Sequence, residues 1–226
     1  MSLGTPRIHH RQTGSTNVQA RDLARAGAPH GTLVTAAEQL DGRGRQGRSW
    51  HAPPGSALLC SLVLRDPPQL LSLAAAVAVA ELVGSAAKLK WPNDVLLDGR
   101  KVSGILVEGS PREGWAVLGI GVNVAVSVSE LPDELRETAG TLGRSREEIE
   151  PALARLLVAL EHWLVAPAAE VLAAWRSRDA LLGAELTWSG GRGVGSGIDE
   201  LGRLLVRTAT GEQTLDAGEV HLLSSR

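Results

Sequence analysis

Three arginines alternate with three glycines in Gly42-Arg43-Gly44-Arg45-Gln46-Gly47-Arg48, and Ser49-Trp50 follow with no acid in the run. Guanidinium groups present planar forks of N–H donors that match carboxylate and phosphate oxygens. Glycines let the backbone approach a ligand closely. The segment suits a cationic flap over an anionic small molecule, and its composition equally suits a solvated loop with no ligand. Its spacing fits G-x-G-x-x-G, but a dinucleotide site needs a helix to start inside that motif. Pro53-Pro54-Gly55 come too soon for one.

Further along stand Lys90-Trp91-Pro92-Asn93-Asp94. Strand alternation puts Lys90 and Pro92 on one face and Trp91 on the other. Asp94 offers a carboxylate for Mg²⁺ carrying phosphate oxygens; the plain alternative is a strand end with an Asn-Asp turn. Lys101 enters an apolar strand containing Gly104, so its charge either meets a partner or snorkels from the strand end. Gly119-Ile120-Gly121-Val122-Asn123 places two glycines and an amide in another apolar strand. Those glycines leave room for something or mark a bulge, and Asn123 can both donate to and accept from a purine or phosphate. Ser15 reads as a helix N-cap, Cys60 as core, and His9, His10 and His51 as surface residues without metal-ligand spacing.

These groups need a scaffold, and 226 residues with 43% hydrophobic content suffice for one sizeable core and a smaller satellite. A net charge of −2 makes the arginine run a local device rather than part of a basic nucleic-acid surface. One cysteine excludes an internal disulfide framework and suits a reducing cytoplasm. No signal peptide or membrane-length apolar run is visible. The pattern predicts helices over 17–26, 69–84, 146–165 and 168–182. Strands are expected over 32–38, 57–64, 88–91, 95–97, 102–108 and 115–124, with Asp98-Gly99 as a hairpin turn. From Gly183 onward short strands alternate with glycine turns. The expectation is an α+β domain over 1–182 with a mixed or antiparallel sheet, then a small β-barrel over 183–226.

Taken in order, Ser15-Thr16-Asn17, Gln39, the Gly42–Trp50 run, Lys90–Asp94, Lys101-x-x-Gly104-Ile105 and Gly119-x-Gly121-x-Asn123 resemble biotin–protein ligases. The tail Gly197-Ile198-Asp199-x-x-Gly202-x-Leu204-Leu205 is similar to that family's SH3-like C-terminal domain. The resemblance implies a catalytic domain like that of class II aminoacyl-tRNA synthetases. Fourteen residues precede Ser15, so the expected type is the monofunctional one, without a DNA-binding domain and without specific DNA binding. Gln46 stands where relatives are sometimes basic, and Leu58-Leu59 replace aromatics, which bears on pocket shape.

The implied activity is ATP-dependent: biotin becomes biotinyl-5′-AMP, then passes to a lysine of the biotin carboxyl carrier domain of acetyl-CoA carboxylase. By the same resemblance Ser15, Thr16, Asn17, Gln39, Gly42, Arg43, Gly44, Arg45, Lys101 and Gly104 bind biotin. Arg48, Trp50, Lys90, Asn93 and Asn123 bind ATP, with Trp50 stacking on adenine, and Asp94 carries Mg²⁺. Lys101, Arg45 and Arg48 are the catalytic cations, Lys101 bridging the biotin carboxylate and the α-phosphate. A cytoplasmic protein is expected, with no membrane partner and with a homodimer left open. The rivals are a lipoate–protein ligase and a nucleic-acid-binding module built on the Arg-Gly loop.

Overall fold

The structure, a computed structural model, describes residues 2–110, 113–216 and 218–223; the expected limits at residues 1 and 226 lie outside them. Its main sheet has seven strands: β1 Arg7–His10, β2 Leu33–Ala36, β3 Leu58–Arg65, β4 Lys88–Lys90, β5 Asp94–Leu97, β6 Arg100–Ser110 and β7 Trp115–Val122. They lie in the order β1-β2-β3-β7-β6-β5-β4. Only β1 and β2 run parallel; the other pairs are antiparallel, so the sheet is mixed as expected.

Two helices tie this sheet to the candidate site. Helix α1, Thr16–Arg25, begins where Ser15 is extended (φ −156°) and ends before Gly27, whose φ of +87° favours glycine. Ser15 is the N-cap by position, but its side chain makes no capping bond. Helix α2, Leu71–Val83, is apolar on nearly every side because it is enclosed on nearly every side. It packs between the sheet and two later helices, α4 Ile149–Trp163 and α5 Ala168–Arg176; α3, Asp133–Arg136, is one short turn beside the site. The hairpin between β5 and β6 turns at Asp98 (φ +50°) and Gly99 (φ +74°), the two left-handed residues of a type I′ turn.

Helix α5 stops at Arg176, not at Leu182, and residues 177–182 form a link in which Leu89 N–H bonds the Arg178 carbonyl and Ala180 N–H bonds the Leu89 carbonyl. Beyond it β8 Glu185–Trp188, β9 Gly191–Ile198, β10 Leu204–Thr208, β11 Gly211–Leu215 and β12 His221–Leu222 form an antiparallel sheet in the order β11-β10-β9-β8-β12. This sheet is not a loose appendage. Leu186, Ile198, Leu204, Val206 and Val220 belong to the same apolar cluster as α2 and the main sheet. Trp91 is buried between them and donates its indole N–H to the Gly202 carbonyl at 3.0 Å.

Candidate active site

The seven-stranded sheet, the start of α1, the Arg-Gly loop and β12 enclose a cavity of about 580 Å³. That is the size of a small-molecule site. Every residue assigned to a ligand from the sequence lines it, except Gly42. Gly42 instead backs the wall: a Cβ there would lie 2.5 Å from the Trp50 carbonyl oxygen.

The Arg-Gly run is a folded hairpin rather than a solvated loop. Trp50 N–H bonds the Gly42 carbonyl at 2.8 Å and Gly44 N–H bonds the Arg48 carbonyl at 2.7 Å. At its tip Gln46 (φ +55°) and Gly47 (φ +76°) make the reversal. The hairpin puts three guanidinium groups at the cavity, but their surroundings differ. Arg43 is exposed and 3.9 Å from Asp41. Arg48 reaches across to Glu219, two residues before β12, at 2.6 Å. Arg45 is half-buried and has no ion pair among the described residues. Burial lowers its pKa from the ordinary arginine value, with Asp94 opposing the shift. A cation desolvated without a partner is stabilised by any anion that arrives.

From the opposite wall come Lys90, Asp94 and Lys101. The Lys101 ammonium lies 2.6 Å from Asp94 Oδ1, the partner its position in an apolar strand requires. Lys90 stands beside them, its pKa lowered by burial against the opposing pull of Asp94 and Glu219. Asn93 faces the cavity but spends its amide N–H on the Ile105 carbonyl at 2.7 Å. In all, five cations (Arg43, Arg45, Arg48, Lys90 and Lys101) face three carboxylates (Asp94, Glu137 and Glu219) around the cavity. The surplus favours an anionic occupant.

The glycines of β6 and β7 do leave room, and protein side chains take it. A Cβ on Gly121 would lie 2.6 Å from the Trp50 ring, and one on Gly104 would lie 3.0 Å from it. One on Gly119 would collide with Asn17 Oδ1. Trp50 therefore rests on the sheet, its ring centre 5.8 Å from the Lys101 ammonium. Three polar atoms of the lining are buried without a hydrogen-bond partner: the indole N–H of Trp50, a donor, and two acceptors, Oδ1 of Asn123 and Oδ1 of Asp94, the last beside the Lys101 ammonium as an ion pair. Asn123 is otherwise held by donating to the Gly140 carbonyl at 2.8 Å.

Toward the start of α1, Gln39 Oε1 accepts the backbone N–H of Thr16 at 2.7 Å, and Ser15 and Asn17 are buried nearby. Cys60 is core, as expected, and also floors the cavity; burial pushes its thiol up to about 12. His9, read as a surface residue, sits on β1 and bonds the Thr35 hydroxyl at 2.9 Å. Sequence reasoning missed Glu219, Ser61 and Glu108. None belongs to a spaced motif; Glu219 lines the cavity, while Ser61 and Glu108 bond the Thr16 and Asn17 side chains that do.

A mixed α+β fold thus carries a cation-lined cavity, bordered by an arginine hairpin and a second small sheet, of the class that holds an anionic small molecule. The chain matches the Biotin/lipoate A/B protein ligase family over residues 8–124 and the Biotin protein ligase C terminal domain over residues 192–223. It therefore belongs to the biotin/lipoate A/B protein ligase family, and its reading as a biotin protein ligase holds. It is 35% identical to the biotin–[acetyl-CoA-carboxylase] ligase of Paracoccus denitrificans, over 92% of this chain and 97% of that protein. It is 34% identical to the bifunctional ligase/repressor BirA of Bacillus subtilis, over 97% of this chain and 75% of that protein. Among solved structures it resembles the biotin protein ligase of Aquifex aeolicus in complex with biotin and ATP. That likeness has a TM-score of 0.77 and 30% identity, covering 98% of this chain and 100% of that one. Among the described residues no helix is long and apolar enough to cross a membrane.

Proposed function

We propose that this cavity condenses biotin with ATP to biotinyl-5′-AMP and then hands the biotinyl group to a lysine of a biotin carboxyl carrier domain. One observation supports the assignment of roles: Lys101, its ammonium 5.8 Å from the Trp50 ring centre, shares one cavity with Thr16 and Gln39, which we assign to a biotin end, and with Trp50 and Asn123, which we assign to a nucleotide end. In the first step a biotin carboxylate oxygen attacks the α-phosphorus and pyrophosphate leaves. Two anions must meet, so positive charge has to offset their repulsion and the charge on the transferring group. Lys101 supplies it between carboxylate and phosphate; Arg45 and Arg48 supply it from the hairpin. In the second step the carrier amine attacks the acyl carbon, AMP leaves, and the amine loses its proton.

The first end suits the ureido head of biotin, with Ser15, Thr16, Asn17, Gln39, Arg43, Gly44 and Gly104 around it and Gly42 behind. The second end suits adenine, for which the Trp50 ring offers a stacking face with Asn123 beside it in the lining. Lys90 and Asn93 stand near enough to serve the phosphates. Asp94 is the residue that would hold Mg²⁺: its Oδ1 is buried with no hydrogen-bond partner and has only the Lys101 ammonium beside it. An ion held by Asp94 would take its remaining oxygens from phosphate and water, as Mg²⁺ does with nucleotides, and would spread the phosphate charge. We divide the chain into a catalytic part over 1–182 and an SH3-like part over 183–226, and place the reaction in the cytoplasm, where ATP and a reduced Cys60 coexist.

The test is exchange of labelled pyrophosphate into ATP, with biotin and lipoate supplied in parallel. Exchange dependent on biotin and indifferent to lipoate is expected. Exchange with lipoate alone, or salt-sensitive oligonucleotide binding with no exchange, would replace this reading with one of its rivals.

A further inference from the structure

The cations that bring two acids together in the first step work against the second. The nucleophile of that step, a lysine of the carrier, arrives from solvent as an ammonium, and the lining meets it with five positive side chains. Two of the three lining carboxylates are already engaged, Asp94 with Lys101 at 2.6 Å and Glu219 with Arg48 at 2.6 Å. Glu137 is the third, and among the described residues it has no ion pair. The arginine beside it in the chain, Arg136, is held elsewhere, by Asp133 at 2.6 Å and by the Leu131 carbonyl at 2.8 Å. Glu137 is thus the lining group with negative charge left to offer an incoming cation.

Its placement suits that use. Glu137 is exposed, so a side chain of another protein can reach it. It is also fixed in position. It follows α3, where Leu131 and Leu135 pack in an apolar cluster with Ala57, Leu59 and Val126. Directly after it the Thr138 carbonyl accepts the Lys101 backbone N–H at 2.8 Å, and the Gly140 N–H bonds the Lys101 carbonyl at 2.8 Å. Glu137 therefore stands one residue from a main-chain partner of Lys101, the side chain assigned to the reacting groups. We infer that Glu137 receives the carrier ammonium at the mouth of the cavity and guides it to the acyl carbon. An exposed pair of this kind is weak, so it draws the amine in without trapping it. The ammonium gives one proton to water, and its freed lone pair forms the bond to the acyl carbon. The bond from that carbon to the phosphate oxygen breaks with its electrons leaving on AMP, and the nitrogen's second proton passes to water.

This inference rests on the cavity being the proposed biotin and ATP site, and the experiment separates the two. Biotinyl-5′-AMP is formed on the full chain, and its consumption is timed with two acceptors. One is the carrier domain, whose lysine is charged; the other is hydroxylamine, which is uncharged at neutral pH. Glu137→Gln should leave biotin-dependent pyrophosphate exchange at least at the wild-type rate and trapping by hydroxylamine unchanged. Its KM for the carrier should rise about three- to fivefold at low salt, and the difference should shrink as salt is added. Glu137→Asp should recover most of that loss, and Glu137→Lys should deepen it. Carrier transfer by Glu137→Gln at the wild-type KM, or a loss shared equally by hydroxylamine, would overturn the role of Glu137 and leave the biotin site standing. A wild-type chain without biotin-dependent exchange would instead overturn the site, and this inference with it.

Discussion

Replacing Lys101 by methionine separates what its charge does for the fold from what it does for the reaction. Its ammonium is 2.6 Å from Asp94, with side-chain exposures of 33% and 17%. Fully exposed pairs contribute at most about 1 kcal/mol, and stranding one partner of a fully buried pair costs about 3–5 kcal/mol. This half-shielded pair belongs between them, at about 2 kcal/mol, which is a fall in Tm of roughly 4–8 °C for a chain of this length. Adding Asp94→Asn removes the stranded carboxylate, so the double variant should regain most of that Tm. Turnover should not follow. A preorganised charge facing the transferring group is worth about 100- to 1000-fold in rate, and neither variant contains it. Thermal unfolding and biotin-dependent pyrophosphate exchange, run on the same samples, give both readings. Exchange near the wild-type rate in Lys101→Met, or recovery of exchange in the double variant, would refute the assignment of Lys101 to the reacting groups.

Gly121→Ala places a methyl 2.6 Å from the Trp50 ring, so the indole must leave its seat. Overpacking of this kind costs about 1–3 kcal/mol. The expected result is a shifted tryptophan emission and a KM for ATP raised about tenfold, with biotin binding retained; an unchanged KM for ATP would contradict the placing of Trp50 at the nucleotide end. Lys90 gives a signed pH dependence. Burial lowers its pKa from 10.5, so between the lowered value and 10.5 the unfolded chain holds the extra proton, and raising pH through that window relieves a cost to the fold. ATP binding should weaken over the same window as the charge is lost, and Lys90→Arg should flatten the profile of KM against pH.

The apolar strands and α2 were legible because burial on both faces leaves a nearly continuous hydrophobic run, broken in Leu58–Leu64 by Ser61 and in Leu71–Val83 by Ser72 and Glu81. Two edge strands were not. In β1 the residues alternate between exposed and half-buried, and the sequence is Arg-Ile-His-His. In β11 four of the five residues, Gly-Glu-Gln-Thr, are exposed. Neither carries an apolar signal, since an edge strand is held by backbone pairing rather than by a buried side-chain face. The site divides in the same way. Arginines and glycines at fixed spacing announced a cation-rich cleft, yet the glycines could not say that Trp50 and Asn17 would fill the space they leave. Ser61 and Glu108 stay silent in the sequence because their meaning depends on a neighbour 44 or 91 positions away.

The bond from Arg48 to Glu219 makes the hairpin and the second sheet thermodynamic creditors of one another. On the proposed function, a nucleotide that steadies the arginines would also tighten the grip of the tail on the body, and a tail held firmly would favour the nucleotide by the same factor. Protection of the β12 amides from exchange with solvent should therefore rise when the cavity that β12 borders fills, making this small terminal sheet a reporter of occupancy.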